Sequence, residues 1–142
     1  MRTTRRSRTN KVSVQYAVPR RGIPSAAALR KWAMAASPPT VTLRIVGERE
    51  GRALNGLFRK KRYATNVLTF HTGDIVLCDP VIRREACAQG KSVAAHYAHL
   101  VVHGVLHLRG YQHEKKRDAA RMEAREIRLL RRAGFRNPYW VE

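Results

Sequence analysis

Carboxylates are what this 142-residue chain has least of: 10 Asp and Glu stand against 29 Lys and Arg, a formal charge of +19. An ordinary solvated surface does not need such an imbalance, and nucleic acid is the partner class it favours. No apolar run approaches the roughly 20 residues of a membrane-spanning helix. The Arg-rich opening "MRTTRRSRTNK" has no apolar stretch of the kind a secretory signal needs. The chain therefore reads as a cytoplasmic protein with no membrane partner. An acid-free, Arg- and Thr-rich start also suits an organellar transit peptide, but folded sequence is expected from Val12, which leaves little room for one; residues 1–11 read as a short, basic, disordered tail. Cysteine is scarce as well. Cys78 and Cys87 form no CxxC pair and fall in an expected strand and an expected helix, so both read as reduced core residues. Repeats and low-complexity linkers are missing, and residues 12–142 are expected to form a single domain.

The hydrophobic pattern alternates between two periods. "KVSVQYAV" and "TVTLRIVG" place apolar residues at every second position, the period of a half-buried strand. Between them "PSAAALRKWAMAAS" carries Leu29, Trp32, Ala33 and Ala36 at helical spacing, with Pro24 and Ser25 suited to a helix start. Glu48 to Arg59 is expected as a second helix carrying Leu54, Leu57 and Phe58. "TNVLTF" and "GDIVLC" are two short strands in a tight connection, both expected to be central in the sheet. Three helices follow: Val81 to Gln89, Val93 to Leu108 and Glu114 to Ala133, each stopped by a glycine. The fold class is α/β of the α+β type. About four strands form a mixed sheet packed with about five helices, and a metal cleft lies between a helix and a central strand.

The segment "LVVHGVLHLRGYQHEKK" concentrates the chemistry. His103 and His107 are four apart on a helix, so both rings project from one face and can meet one ion. Gly110 can end the helix in a left-handed turn, and Tyr111 and Gln112 then carry His113 back toward the same point. Three nitrogen ligands and an open position are the pattern of a catalytic zinc site. His99, His103 and His107 form a competing series, but on a straight helix they span about 12 Å at 1.5 Å per residue. His99 is therefore excluded as a ligand, and His96 and His99 read as surface residues or as residues supporting the ligands. Gly104 stands where an HExxH protease keeps its general base, which disfavours peptide hydrolysis. An ion alone can still bring the pKa of a bound water from near 16 to about 7 to 9.

These residues also carry a resemblance. "HGVLHLRGYQH" resembles the HGxLHLxGYDH signature of the YbeY family of metal-dependent endoribonucleases, and "LNGLFRKKRYATNVLTF", "GDIVLCDPVIRREACAQGK" and "GFRNPY" resemble further segments of that family in the same order. The resemblance spans roughly Leu54 to Tyr139. It implies that His103, His107 and His113 hold one Zn2+, that the ion-bound water attacks a phosphodiester of single-stranded RNA, and that Arg59 takes part in catalysis by holding phosphate. It also implies maturation of the 3′ end of small-subunit ribosomal RNA, ribosome quality control, and the ribosome or small-subunit ribosomal proteins as partners. Three departures stand out: Gln112 replaces an Asp before the third ligand, Thr69 and His71 replace a Ser and a Pro, and the loop between the two short strands is short.

Arg59, Lys60, Lys61, Arg62 and Asn66 are the candidate RNA-binding residues, and His71 is a candidate general acid. Gln112 and Glu126 are candidates to support the ligands. Glu126 falls within the apolar stripe of Ala119, Met122, Leu129, Leu130 and Ala133, so it is expected to be buried and to bond to an Arg or to the ligand region. Two other functions remain open: a non-catalytic RNA- or ribosome-binding assembly factor with a zinc site, and a metal-dependent hydrolase of another substrate.

Overall fold

The computed structural model describes residues 11–61, 63–112 and 115–139. Most of the tail expected over 1–11 lies outside these residues, as do Arg62, His113 and Glu114. Nine elements follow in order: β1 (Val12–Tyr16), α1 (Ala26–Ala35), β2 (Val41–Val46), α2 (Glu48–Arg59), β3 (Val67–Phe70), β4 (Asp74–Cys78), α3 (Asp79–Gln89), α4 (Val93–Leu108) and α5 (Lys116–Arg132). The strands form one mixed sheet in the order β1-β2-β4-β3. β1 pairs parallel to β2 with Val14 opposite Leu43, and β2 pairs parallel to β4 with Leu43 opposite Ile75. β3 runs antiparallel to β4 with Thr69 opposite Ile75.

Period-two patterning sorts the strand side chains into two layers. Leu43, Ile45, Ile75 and Leu77 join the larger core with residues of α1, α3, α4 and α5. Val46, Leu68, Val76 and Cys78 join a smaller cluster with Leu54 and Val81 on the opposite face. α4 is apolar almost all round, and Tyr97, Ala98, Val101, Val105 and Leu106 are fully buried. Such a helix needs neighbours on every side, and it packs against α1, α3, α5, β3 and β4. At about 1.5–3 kcal/mol for each large apolar side chain removed from water, α4 is the chief hydrophobic anchor of the domain. Ser92 caps its start, its Oγ accepting from the Ala95 N–H at 3.0 Å.

Three expectations are corrected. β3 is an edge strand among the described residues, because β4 inserts between it and β2. Leu57 and Phe58 are exposed, because α2 turns Gly51 and Asn55 toward the protein instead. Cys87 is exposed, since α3 buries Val81, Ile82 and Ala86 on its other side; Cys78 is buried, and both thiols are free.

Candidate metal centre and basic groove

His103 and His107 project from adjacent turns of α4, with ring centroids 4.7 Å apart and both side chains partly buried. Gly104 lies between them and turns toward the sheet. A Cβ there would sit 3.1 Å from two carbons of Ile75 and 3.4 Å from Thr69 Oγ1. A side chain there would have to displace Ile75, so the close packing of α4 on β3 and β4 favours glycine where HExxH keeps its carboxylate. Gly110 ends the helix at φ +98°, with the Tyr111 N–H donating to the Leu106 carbonyl at 3.0 Å and the Gly110 N–H to His107 at 3.0 Å. This left-handed residue terminates α4. His113 itself lies outside the described residues. Gln112 is exposed at this turn, and Tyr111 is partly buried against the main core.

α5 supplies Glu126, which is fully buried. Its Oε2 lies 2.6 Å from His103 Nδ1 and its Oε1 lies 3.0 Å from His99 Nε2, and the Tyr139 hydroxyl donates to Oε1. Burial raises the carboxyl pKa. Hydrogen bonds from His103 and His99, the His103 charge and the Tyr139 hydroxyl outweigh it and bring the group down to about 2. The carboxylate is therefore ionised and accepts only, so His103 donates from Nδ1 and, when neutral, keeps its lone pair on Nε2. In turn, burial and the bond to Glu126 push the Tyr139 phenol up.

His96 and His99 are not surface residues. His96 is 3 % exposed and His99 partly buried, because α3 and α5 cover that flank of α4. His96 Nε2 meets Glu85 Oε1 at 2.8 Å, and burial, opposed by that bond, lowers its pKa. The same Glu85 oxygen accepts from Asn66 Nδ2 at 2.9 Å, while Asn66 Oδ1 accepts from the Val67 N–H at 2.6 Å. Both ends of the Asn66 amide thus serve the internal framework that starts β3.

The ligand atoms of His99, His103 and Glu126 lie within 4.8 Å of one another, close enough for these three residues to hold a metal ion. Sequence spacing had set His99 aside. Its nearness to Glu126 is a long-range contact between α4 and α5 that helical periodicity does not reveal. Nor does the sequence show that Tyr139 reaches this carboxylate. Imidazoles and a carboxylate are suitable donors for a divalent first-row metal.

Arg59, Lys60 and Lys61 are exposed at the C-terminal end of α2. Lys60 takes a left-handed conformation, φ +57°, in which most side chains are disfavoured. Buried Asn55 secures the loop, its Nδ2 donating to the Tyr63 carbonyl at 2.6 Å while its own carbonyl accepts from the Lys61 N–H at 3.2 Å. A groove lined by Asn55, Arg59, Lys61, Tyr63, Thr65, Val67 and Leu68 results. His71 is exposed in the connection between β3 and β4. Thus β3 is a shared wall: Val67 and Leu68 line the basic groove, and Thr69 faces the glycine between the two histidines.

The sequence profile of the family described as Endoribonuclease YbeY matches residues 8–134. The chain belongs to the YbeY endoribonuclease family. A YbeY endoribonuclease of Aromatoleum aromaticum is 51 % identical over 125 residues, covering 82 % of this chain and 81 % of that protein. One from Nitrosomonas eutropha is 48 % identical over 140 residues, covering 92 % and 99 %. The solution structure of TM1509 from Thermotoga maritima aligns with a TM-score of 0.59 at 20 % identity, covering 91 % of this chain and 99 % of that one, a likeness of fold. Membership places the chain among metal-dependent nuclease hydrolases. No helix among the described residues is long and apolar enough to cross a membrane.

Proposed function

We propose that this member of the YbeY family is a single-strand-specific, zinc-dependent endoribonuclease that hydrolyses RNA phosphodiester bonds in the cytoplasm. It acts within a single domain over residues 12–142, on the 3′ end of small-subunit ribosomal RNA and in ribosome quality control, with the ribosome or its small-subunit proteins as partners. His103, His107 and His113 hold the zinc. A bound zinc ion supplies Lewis acidity and lowers the pKa of coordinated water toward neutrality. The chain's own residues do the remaining work. Glu126 fixes the tautomer and orientation of His103, with His99 and Tyr139 holding the carboxylate in turn. Arg59 takes two phosphate oxygens and stabilises charge growing on the phosphodiester, and Lys60, Lys61 and Arg62 hold flanking phosphates. His71 is the nearest candidate in sequence for protonating the leaving oxygen.

The observation that carries this reading is the bond between Glu126 and His103 Nδ1 within a chain of this family. A buried carboxylate on the far nitrogen is how metal-binding histidines are typically supported. The test is metal analysis together with cleavage of a labelled single-stranded RNA by wild type, His113→Ala and Arg59→Ala. We expect about one metal per chain and strongly reduced cleavage by both variants. Metal-free wild type, or variants as fast as wild type, would remove the assignment and leave a non-catalytic assembly factor as the better reading.

A second ligand set has an observation in its favour: His99, His103 and Glu126 already converge. We prefer the first set on the family resemblance, and one distance weighs against the second. Ligand atoms on a tetrahedral zinc lie about 3.3 Å apart for bonds of about 2.05 Å, whereas His103 Nδ1 and Glu126 are at the 2.6 Å of a hydrogen bond. Metal retained by His107→Ala but lost from His99→Ala would reverse that preference.

A further inference from the structure

Large apolar side chains usually leave water, yet Leu57 is 73 %, Phe58 57 % and Tyr63 60 % exposed, and all three surround Arg59, Lys60 and Lys61. From Gly51 to Gly73 the chain has no acidic residue. Phe58 is braced edge-to-face on Phe70, with centroids 5.1 Å apart at 73°. Tyr63 is placed by the bond from Asn55 to its carbonyl and lines the groove with Val67 and Leu68. Phe58 thus lies toward one end of β3 and Tyr63 toward the other, along the free edge of the sheet among the described residues.

We propose that Phe58 and Tyr63 form a base-stacking subsite, taking two unpaired bases of the RNA strand whose phosphate Arg59 holds. This rests on the endoribonuclease reading and deepens it. The chemistry selects the occupant. Protein interfaces are depleted of lysine, whereas alternating cations and aromatic rings suit single-stranded nucleic acid, whose phosphates meet the charges and whose bases meet the rings. Exposure of the rings selects the strand state. A base that stacks on either ring has to leave its neighbours and its pairing partner, which unpaired bases do at far lower cost than bases of a duplex. The subsite therefore favours single strands, and it lies beside β3, the β-strand whose Thr69 faces Gly104 of the metal-site helix.

The test measures binding of a labelled 2′-O-methyl adenylate decamer, the same decamer with its four central bases removed, and its duplex. Wild type is expected to prefer the intact single strand over both others. Replacing Phe58 and Tyr63 by Leu is expected to lower affinity about fivefold or more for each ring and to abolish that preference. Phe58→Tyr and Tyr63→Phe are expected to retain it, and Arg59→Ala to weaken the intact and base-free single strands alike. Both positions are exposed, so unchanged melting is expected to show that the variants are folded. The proposal is overturned if the Leu variants keep the full preference for bases, including the case in which they lose only association with ribosomal particles, which would make the face a protein interface. Wild type that binds and cleaves RNA while the Leu variants match it removes the subsite alone; wild type that binds no RNA removes the endoribonuclease reading as well.

Discussion

Glu126→Gln isolates the support of His103 from the space the side chain occupies. Glu126 is fully buried and accepts from His103 at 2.6 Å, from His99 at 3.0 Å and from Tyr139. Glutamine keeps an acceptor oxygen for His103 but puts an NH2 where Oε1 accepted from His99 and Tyr139, so those two contacts survive only by reversing direction, with His99 in its other tautomer, and all three lose the charge. Hydrogen bonds to a charged group contribute about 1.5–3 kcal/mol each, and the loss expected here is about 2–3 kcal/mol, since the shape is retained. For a chain of this size that corresponds to a fall in Tm of about 8–12 °C. If His103 binds metal through Nε2, loss of the charged partner of its Nδ1–H is expected to weaken metal affinity about 10- to 100-fold. Calorimetric melting with and without zinc, and zinc competition against a chelator, measure the two effects separately. A variant that melts within about 1 °C of wild type and holds zinc within about threefold of it would refute the argument, because a fully buried ionised carboxylate would then be supporting nothing.

Glu126 also predicts acid sensitivity. Its pKa lies at about 2, below its ordinary 4.5, so its contribution to stability is present above the ordinary value and disappears as pH falls through the folded one. Melting of wild type is expected to fall between about pH 5 and 2, and that of Glu126→Gln to fall less there; equal slopes would contradict this. Gly104→Ala places a methyl 3.1 Å from Ile75, a fully buried residue of β4 with little room to move. After the gain in helix propensity, a net loss of about 1 kcal/mol is expected by denaturant unfolding, and a gain of 1 kcal/mol would show that α4 does not pack tightly on the sheet. Lys60→Gly relieves a left-handed backbone and is expected to stabilise the fold by about 1 kcal/mol while weakening RNA affinity and its dependence on salt; lower stability would contradict the strain at this turn.

Much of the fold was legible because its signals are local. Period-two runs marked β1 and β2, short β-rich runs marked β3 and β4, helical spacing marked α1 and the stripe of α5, and left-handed glycines ended α3 and α4. The side of α2 that faces the protein was less legible. Leu54, Leu57 and Phe58 are the apolar residues that the sequence offered on this helix, yet Gly51 packs against Cys78 and Asn55 secures the following loop, so Leu57 and Phe58 are turned outward. The position of β3 was not local either, since which strand inserts beside β2 depends on pairing across the whole sheet.

The candidate site divides along the same line. Spacing alone put His103 and His107 on one face, and the apolar stripe around Glu126 implied that a carboxylate was buried. Only tertiary structure brought that carboxylate within 2.6 Å of His103, joined His99 and Tyr139 to it, and used up the Asn66 amide inside the fold. Helical periodicity is a property of neighbours a few residues apart and survives without the rest of the chain. The register between α4 and α5, and the approach of Tyr139 to both, exists only once the shared core has closed.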